Sequence, residues 1–244
     1  MPGTPSLAAL EPEPVLDVGC LGAFDDSGVT SSCLVTVGDR RFLYYTGWSR
    51  GVTVPFYLAA GLAVSEGGGA FRRVSPAPLL DRSAVDVYLT ASPFVAIENE
   101  RWRMWYVSAT EWRETASGPR HFYHIRYATS SDGVAWIRDG TVCIDFASPD
   151  EYAIARPWVI RDSDAYRMWF AVRGERYAIA YAESHDGTRW TRRNDGGLAA
   201  AGADWESAMV EYPCVFDWDG RRYMLYNGNG YGRTGMGLAV LEAA

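Results

Sequence analysis

RPWVIRDSDAYRMWFAV, residues 156–172, decides the fold. A short apolar run opens on a proline, a polar turn follows (RDSDA, 161–165), and an aromatic run with period-two alternation returns (YRMWFAV, 166–172). That is the pattern of a β-hairpin. The same order occurs on both sides of it. SCLV (32–35), SPFV (92–95) and YPCV (212–215) open comparable runs, and VGDRR (37–41), IENER (97–101) and DWDGR (217–221) supply the turns. RFLYYTG (41–47), WRMWYVS (102–108) and RYMLYNG (222–228) are the returning strands. Aligned on Cys33, Pro93, Pro157 and Pro213, the copies lie 60, 64 and 56 residues apart, a period that signals a repeat architecture.

A third strand follows in each copy: GLAVS (61–65), RYATS (126–130), AYAES (180–184) and GLAVL (237–241). Ser130, Asp132, Gly133 and Trp136 recur as Ser184, Asp186, Gly187 and Trp190, with a looser version at Ser65, Gly68 and Phe71. Asp-Gly makes the turn tight, and the aromatic returns on a fourth strand. The pattern predicts an all-β chain, one domain over residues 1–244, built as a four-bladed β-propeller. The fourth copy stops after three strands. Residues 14–18 are therefore expected to pair with the strand holding Leu238 and Val240 and close the ring, which would remove an exposed sheet edge. The alternative is a five-bladed ring with one incomplete blade.

A formal charge of −7 opposes a nucleic-acid partner. All 23 basic residues are arginines, which excludes lysine Schiff-base chemistry; arginine's two-point grip keeps an anionic small molecule open as a partner. No apolar stretch is long enough to span a bilayer and the N-terminus lacks a leader pattern, so no membrane partner and a cytoplasmic location are expected. Cys20, Cys33, Cys143 and Cys214 have no metal-ligand spacing and are expected to be buried thiols. No metal site and no cofactor are expected.

Seven residues before each anchor stands an acid: Asp26, Asp86, Asp150 and Glu206, flanked by Asp25, Glu151 and Glu211. Equivalent positions in successive blades are related by rotation, so these carboxyls should ring one mouth of the central channel. Glycoside cleavage needs two of them, one protonated and one ionised; crowding would hold one proton on. Arg156, beside Pro157, and Arg173 are candidates to face the same site. Asn227 and Asn229 in YNGNGYG (226–232) suit sugar hydroxyls, and Trp48, Trp112 and Tyr231 suit stacking on a sugar face. His124, at the start of a third strand, is a further candidate for the channel.

These motifs resemble the five-bladed propeller glycosidases, the superfamily of arabinanases, invertases, levansucrases and glycoside hydrolase family 43. The resemblance spans nearly the whole chain and rests on the Pro-apolar strands, the aromatic second strands and the S-x-D-G-x-x-W turns. It is closest to a branch with GAFDDSGV (22–29), EYAIARPWV (151–159) and EYPCV (211–215). It implies a glycosidase-like enzyme acting on a small sugar conjugate. Asp25 or Asp26 would be the base, Glu211 the proton donor with Glu206 as second choice, and Asp86 the acid that orients hydroxyls. Two other functions stay open: a lyase, isomerase or cyclase using the same acids, and a sugar-binding propeller without catalysis.

Overall fold

The computed structural model describes residues 12–200, 202 and 204–241. Among them every regular element is a strand. β1 (Gly28–Val37), β2 (Arg40–Arg50), β3 (Phe56–Glu66) and β4 (Arg72–Arg73) form one antiparallel sheet in chain order. β5 (Thr90–Glu98), β6 (Arg101–Arg113), β7 (Arg120–Ser130) and β8 (Val142–Ile144) form a second group. β9 (Ala153–Arg161), β10 (Tyr166–Arg173), β11 (Tyr177–Ser184) and β12 (Thr191–Leu198) form a third. A single parallel bridge, Tyr123 to Ala153, joins these two groups into one eight-stranded sheet. β13 (Glu211–Trp218), β14 (Arg221–Asn227) and β15 (Met236–Val240) make the last sheet.

The hairpins form where turn chemistry places them. Asn99 and Glu100 both have positive φ, as do Asp219 and Gly220, the backbone of a two-residue turn that matches strand twist. The Ser-x-Asp-Gly turns also do what their residues dictate. Ser130 Oγ accepts the Asp132 and Gly133 amides at 3.1 and 2.9 Å, and Asp132 accepts those of Val134 and Ala135 at 2.8 Å each. Ser184 and Asp186 repeat this with residues 186–189.

Each such turn is gripped by the preceding strand group. Tyr44 Oη donates to Gly133 O at 2.8 Å, and Trp105 Nε1, fully buried, donates to Gly187 O at 2.7 Å. A Cβ at Gly133 would lie 2.7 Å from Trp102, so only glycine fits. Phe42, Trp102, Met104, Phe94 and Met168 fill the core behind these contacts, while Trp169, Val210, Val215 and Tyr226 join the third and fourth groups.

The expected ring closure by residues 14–18 is not formed. That segment carries no strand; the Asp17 carbonyl accepts from Arg73 of the first group, and Gly19 N donates to Asp25 O. It is anchored where it leaves the chain, beside β1 to β4. Among the described residues β15 is an uncovered edge, with Leu238 and Val240 37% and 45% exposed. Cys33 and Cys143 are buried as expected, whereas Cys20 is exposed and Cys214 half-buried; all four are free thiols. Among the described residues no helix is long and apolar enough to cross a membrane. The leader-free reading rests largely on residues 1–11, outside the described residues.

Three acids each tie the segment entering a strand group to the strands of that same group. Tyr45 Oη donates to Asp25, Tyr106 Oη to Asp86 and Tyr226 Oη to Glu206, in each case from a tyrosine 20 residues onward. Arg73 adds a 2.7 Å ion pair to Asp25, and Arg138 and Arg126 reach Asp86 at 2.7 and 3.4 Å. In the third group Phe170 replaces the tyrosine; Arg192 lies 5.2 Å over its ring and grips Glu151 through both carboxylate oxygens. Removing a fully buried carboxylate from between two arginines strands their charge, a loss of about 3–5 kcal/mol. Asp86→Ala should therefore lower the melting temperature by roughly 10 °C, and Tyr106→Phe, which removes one hydrogen bond, by a few degrees. Equal small shifts in calorimetry would refute the clamp.

Candidate active site

A proline has no amide hydrogen and sits inside a sheet only at edges or bulges. Pro93, Pro157 and Pro213 lie at bulges in β5, β9 and β13, where the ladder skips from Ala91 to Phe94, from Ala155 to Trp158 and from Glu211 to Cys214. The preceding residues Ser92, Arg156 and Tyr212 take φ of +46°, +52° and +56°, a conformation that costs a non-glycine residue about 1–3 kcal/mol. The bulge turns all three toward one cavity. In β1 the skipped residue is Ser32, not Cys33, so the true counterparts are one residue earlier than the sequence alignment implies.

The cavity measures 410 Å³, within the ordinary range for small-ligand pockets. Strands of all four groups line it. Thr30, Ala91 and Ala155, each two residues ahead of the proline or its counterpart, form part of the wall. The fourth residue at that position is Glu211. It is fully buried between Tyr212 and its cross-strand partner Asn227, both lining residues. Trp48, Phe56 and Leu58 supply an apolar side, while Tyr177, Tyr212 and Tyr231 supply phenols. Trp48 and Phe56 pack at 5.2 Å, and Trp48 Nε1 donates to Thr30 Oγ1 at 3.3 Å.

Electrostatics divide the groups sharply. Both Glu211 oxygens are buried with no hydrogen-bond partner. Burial pushes this carboxyl up to about 8, against the pull of Arg173 and Arg156, so it is protonated at neutral pH. His121, stacked 4.7 Å from Tyr123, is pushed down to about 4 by burial and then by Arg173 and Arg120. It is a neutral imidazole whose Nε2 is buried without a partner. Burial raises Tyr177 to about 12 and Tyr123 and Tyr212 well above the usual phenol; these phenols are hydrogen-bond donors, not tyrosinate nucleophiles.

The expected carboxylate ring does not form at the cavity. Asp25, Asp86 and Glu206 are held in the clamps, and Glu151 is paired with Arg192. Asp26 caps a local turn, where the Gly22 amide and Ser27 hydroxyl lower its pKa, and Asp150 is exposed. None of these six lines the cavity. Counting back from the anchor led to the tie within each group, while the bulge at the proline selects what faces inward.

Arg156, Arg173, Trp48, Asn227 and Tyr231 do line the cavity. Trp112 stands behind it, 5.3 Å from Phe56 and 5.6 Å from His121. Asn229 binds the 204–209 segment, accepting the Ala208 and Met209 amides and donating to Asp204 O. His124 is held by Asp145 and Arg126 away from the cavity. His121, Tyr123, Tyr177 and Tyr212 are cavity residues that sequence reasoning missed; for Tyr212 the signal was present, since it stands before a proline as Arg156 does. Among the described residues no cluster of three potential metal ligands occurs.

Two curated relatives, the Mycobacterium tuberculosis proteins described as uncharacterized proteins Rv1502 and MT1551, are each 46% identical over 231 residues, 94% of this chain and 77% of theirs. No family model matches the chain. Among solved structures, a protein described as a glycoside hydrolase superposes with a TM-score of 0.67 at 16% identity, covering 92% of this chain and 72% of its own length. A thermostable family-43 glycoside hydrolase gives 0.63 at 18%, covering 93% and 71%. The endo-arabinase of Bacteroides thetaiotaomicron gives 0.62 at 17%, covering 86% and 74%. The fold is thus the propeller fold of those glycosidases.

A carboxyl whose pKa is raised by folding stabilises the native state below its unfolded pKa, and that contribution is lost as pH rises to the folded value. Between about pH 4.5 and about 8 the native chain holds a proton on Glu211 that the unfolded chain releases. Glu211→Gln removes this dependence. Its stability relative to the parent protein should therefore rise with pH by up to about 1.4 kcal/mol per unit, and level off above about 8. Denaturation curves at pH 5.5, 7.0 and 8.5 test this, and a constant difference across the three would disprove a protonated Glu211.

Proposed function

We propose that this chain, which belongs to the family of the Mycobacterium tuberculosis protein Rv1502, takes a small sugar or sugar-like molecule into the cavity and acts on its glycosidic bond with Glu211 as proton donor. The observation that carries the reading is Glu211 itself: a buried, unpartnered carboxyl, neutral at pH 7, set between two cavity-lining residues. A neutral carboxyl can give its proton to a leaving oxygen as the bond to carbon breaks. The phenols and Asn227 suit sugar hydroxyls, and the Trp48–Phe56 wall suits an apolar sugar face. The glycosidase fold supports the substrate class by analogy. In this reading the four strand groups are blades of one domain arranged about the cavity.

A second reading is favoured by one specific observation: among the described residues no carboxylate lines the cavity, and Glu211 stands beside two lining residues with no second acid there. Two-carboxylate hydrolysis needs an ionised partner for the acid. Sugar binding without turnover needs none, and elimination or isomerisation needs proton transfer but no attacking water. Turnover of aryl glycosides in ¹⁸O-labelled water separates these. Hydrolysis places the label in the product, and elimination or isomerisation does not. If Glu211 is the donor, Glu211→Gln should lower kcat by at least about 100-fold with binding retained, and activity of the parent should fall above about pH 8. Turnover unaffected in Glu211→Gln would exclude the role.

A further inference from the structure

Ten arginines among the described residues are half-buried, and seven of them lie within 4.0 Å of a carboxylate oxygen. Of the other three, Arg41 donates to Ser65 Oγ and Gly69 O at the sheet surface. The remaining two are Arg156 and Arg173, and both line the cavity. The chain otherwise gives its partly buried guanidinium groups an anion. Withdrawing a charge from water without one is costly.

What these two groups do touch leaves most of their donors free. Arg156 donates to the Ser31 carbonyl and lies 5.4 Å over the Tyr212 ring. Arg173 donates to Tyr231 Oη at 3.2 Å and lies over the rings of Tyr152 and Tyr177, at 5.3 and 4.9 Å. A guanidinium has five N–H donors in a planar fork that fits two oxygens of one acidic group. Aromatic faces hold each arginine in place without neutralising it. Glu211, the nearby acid, makes no ion pair with either of them, since both its oxygens are buried without a hydrogen-bond partner, and burial raises its pKa.

We infer that the molecule bound in this cavity carries an acidic group, a carboxylate or a phosphate, and that Arg156 and Arg173 are its anchors. The inference rests on the proposed sugar-binding role of the same cavity and names the substrate class within it. The acidic group supplies the anion that the two arginines lack, while the Trp48–Phe56 wall takes the sugar face. Arg156 also joins β9 to β1, so Arg173 is the cleaner site to change.

Calorimetric titration at low salt with methyl glucuronoside, glucose 6-phosphate, methyl glucoside and inorganic phosphate tests it. At least one acidic sugar should bind tenfold or more tightly than methyl glucoside; which one separates carboxylate from phosphate recognition. Arg173→Gln should lose at least tenfold toward that probe and less than threefold toward methyl glucoside, with Arg173→Lys between. Equal binding of neutral and acidic sugars overturns the anion site and leaves the sugar reading standing. Inorganic phosphate binding as tightly as glucose 6-phosphate, with no sugar contribution, overturns the sugar reading and the inference built on it. Binding of no probe overturns both. If Arg173→Gln does not fold, the preference of the parent protein decides alone.

Discussion

The cavity exists because three first strands carry a proline that cannot donate to the ladder. Two residues there oppose one, and the residue ahead of the proline is forced into a left-handed conformation that re-aims its side chain. Ser92, Arg156 and Tyr212 face the cavity for this reason, Thr30, Ala91 and Ala155 occupy the wall position beside them, and Glu211 takes the equivalent place in β13 next to Tyr212. Relaxing the bulge would shift the register by one and send these side chains to the opposite face. The strain is held by neighbours on every side: Arg156 reaches β1 through the Ser31 carbonyl and β13 through the Tyr212 ring.

Charge is distributed around that constraint in two ways. Outside the cavity, buried carboxylates accept from tyrosine hydroxyls and arginines and bind the segment entering a strand group to that group's own strands, as at Asp25 and Asp86. Inside it the balance reverses: two arginines face the space without a carboxylate in contact, and the nearby acid is kept neutral by burial. A chain with net negative charge thereby presents a positive interior. The sign of a whole protein is a poor guide to the sign of its site when most acids are engaged in structural ties.

The propeller fold shared with glycosidases does not by itself assign a chemistry to this chain. Chemistry depends on which side chains reach the cavity, and here that set is dominated by aromatic rings and two arginines, with one buried carboxyl, Glu211, beside two of its members. The neutral His121 beside Tyr123 adds a second group whose proton affinity is governed by burial.

Strand order, hairpins and the Ser-x-Asp-Gly turns were determined by the sequence itself, because period-two alternation and turn chemistry act over a few residues. Residues 130–136 and 184–190 form the same hydrogen bonds with no help from afar. Arg156, Arg173, Trp48, Asn227 and Tyr231 were legible as cavity residues from their places beside prolines and at strand ends. Which acid faces inward was decided only by the tertiary structure. The slip between Cys33 and Ser32 is one residue, yet it separates a turn cap at Asp26 from a buried tie at Asp25. Asp86 meets Arg126 and Arg138 from 40 and 52 residues away, and no local pattern encodes such a partner. Edge closure was likewise beyond local signals: residues 14–18 follow the pull of Arg73 and Asp25 rather than the open edge of β15, because the nearer strand group supplies both a charge and an amide partner.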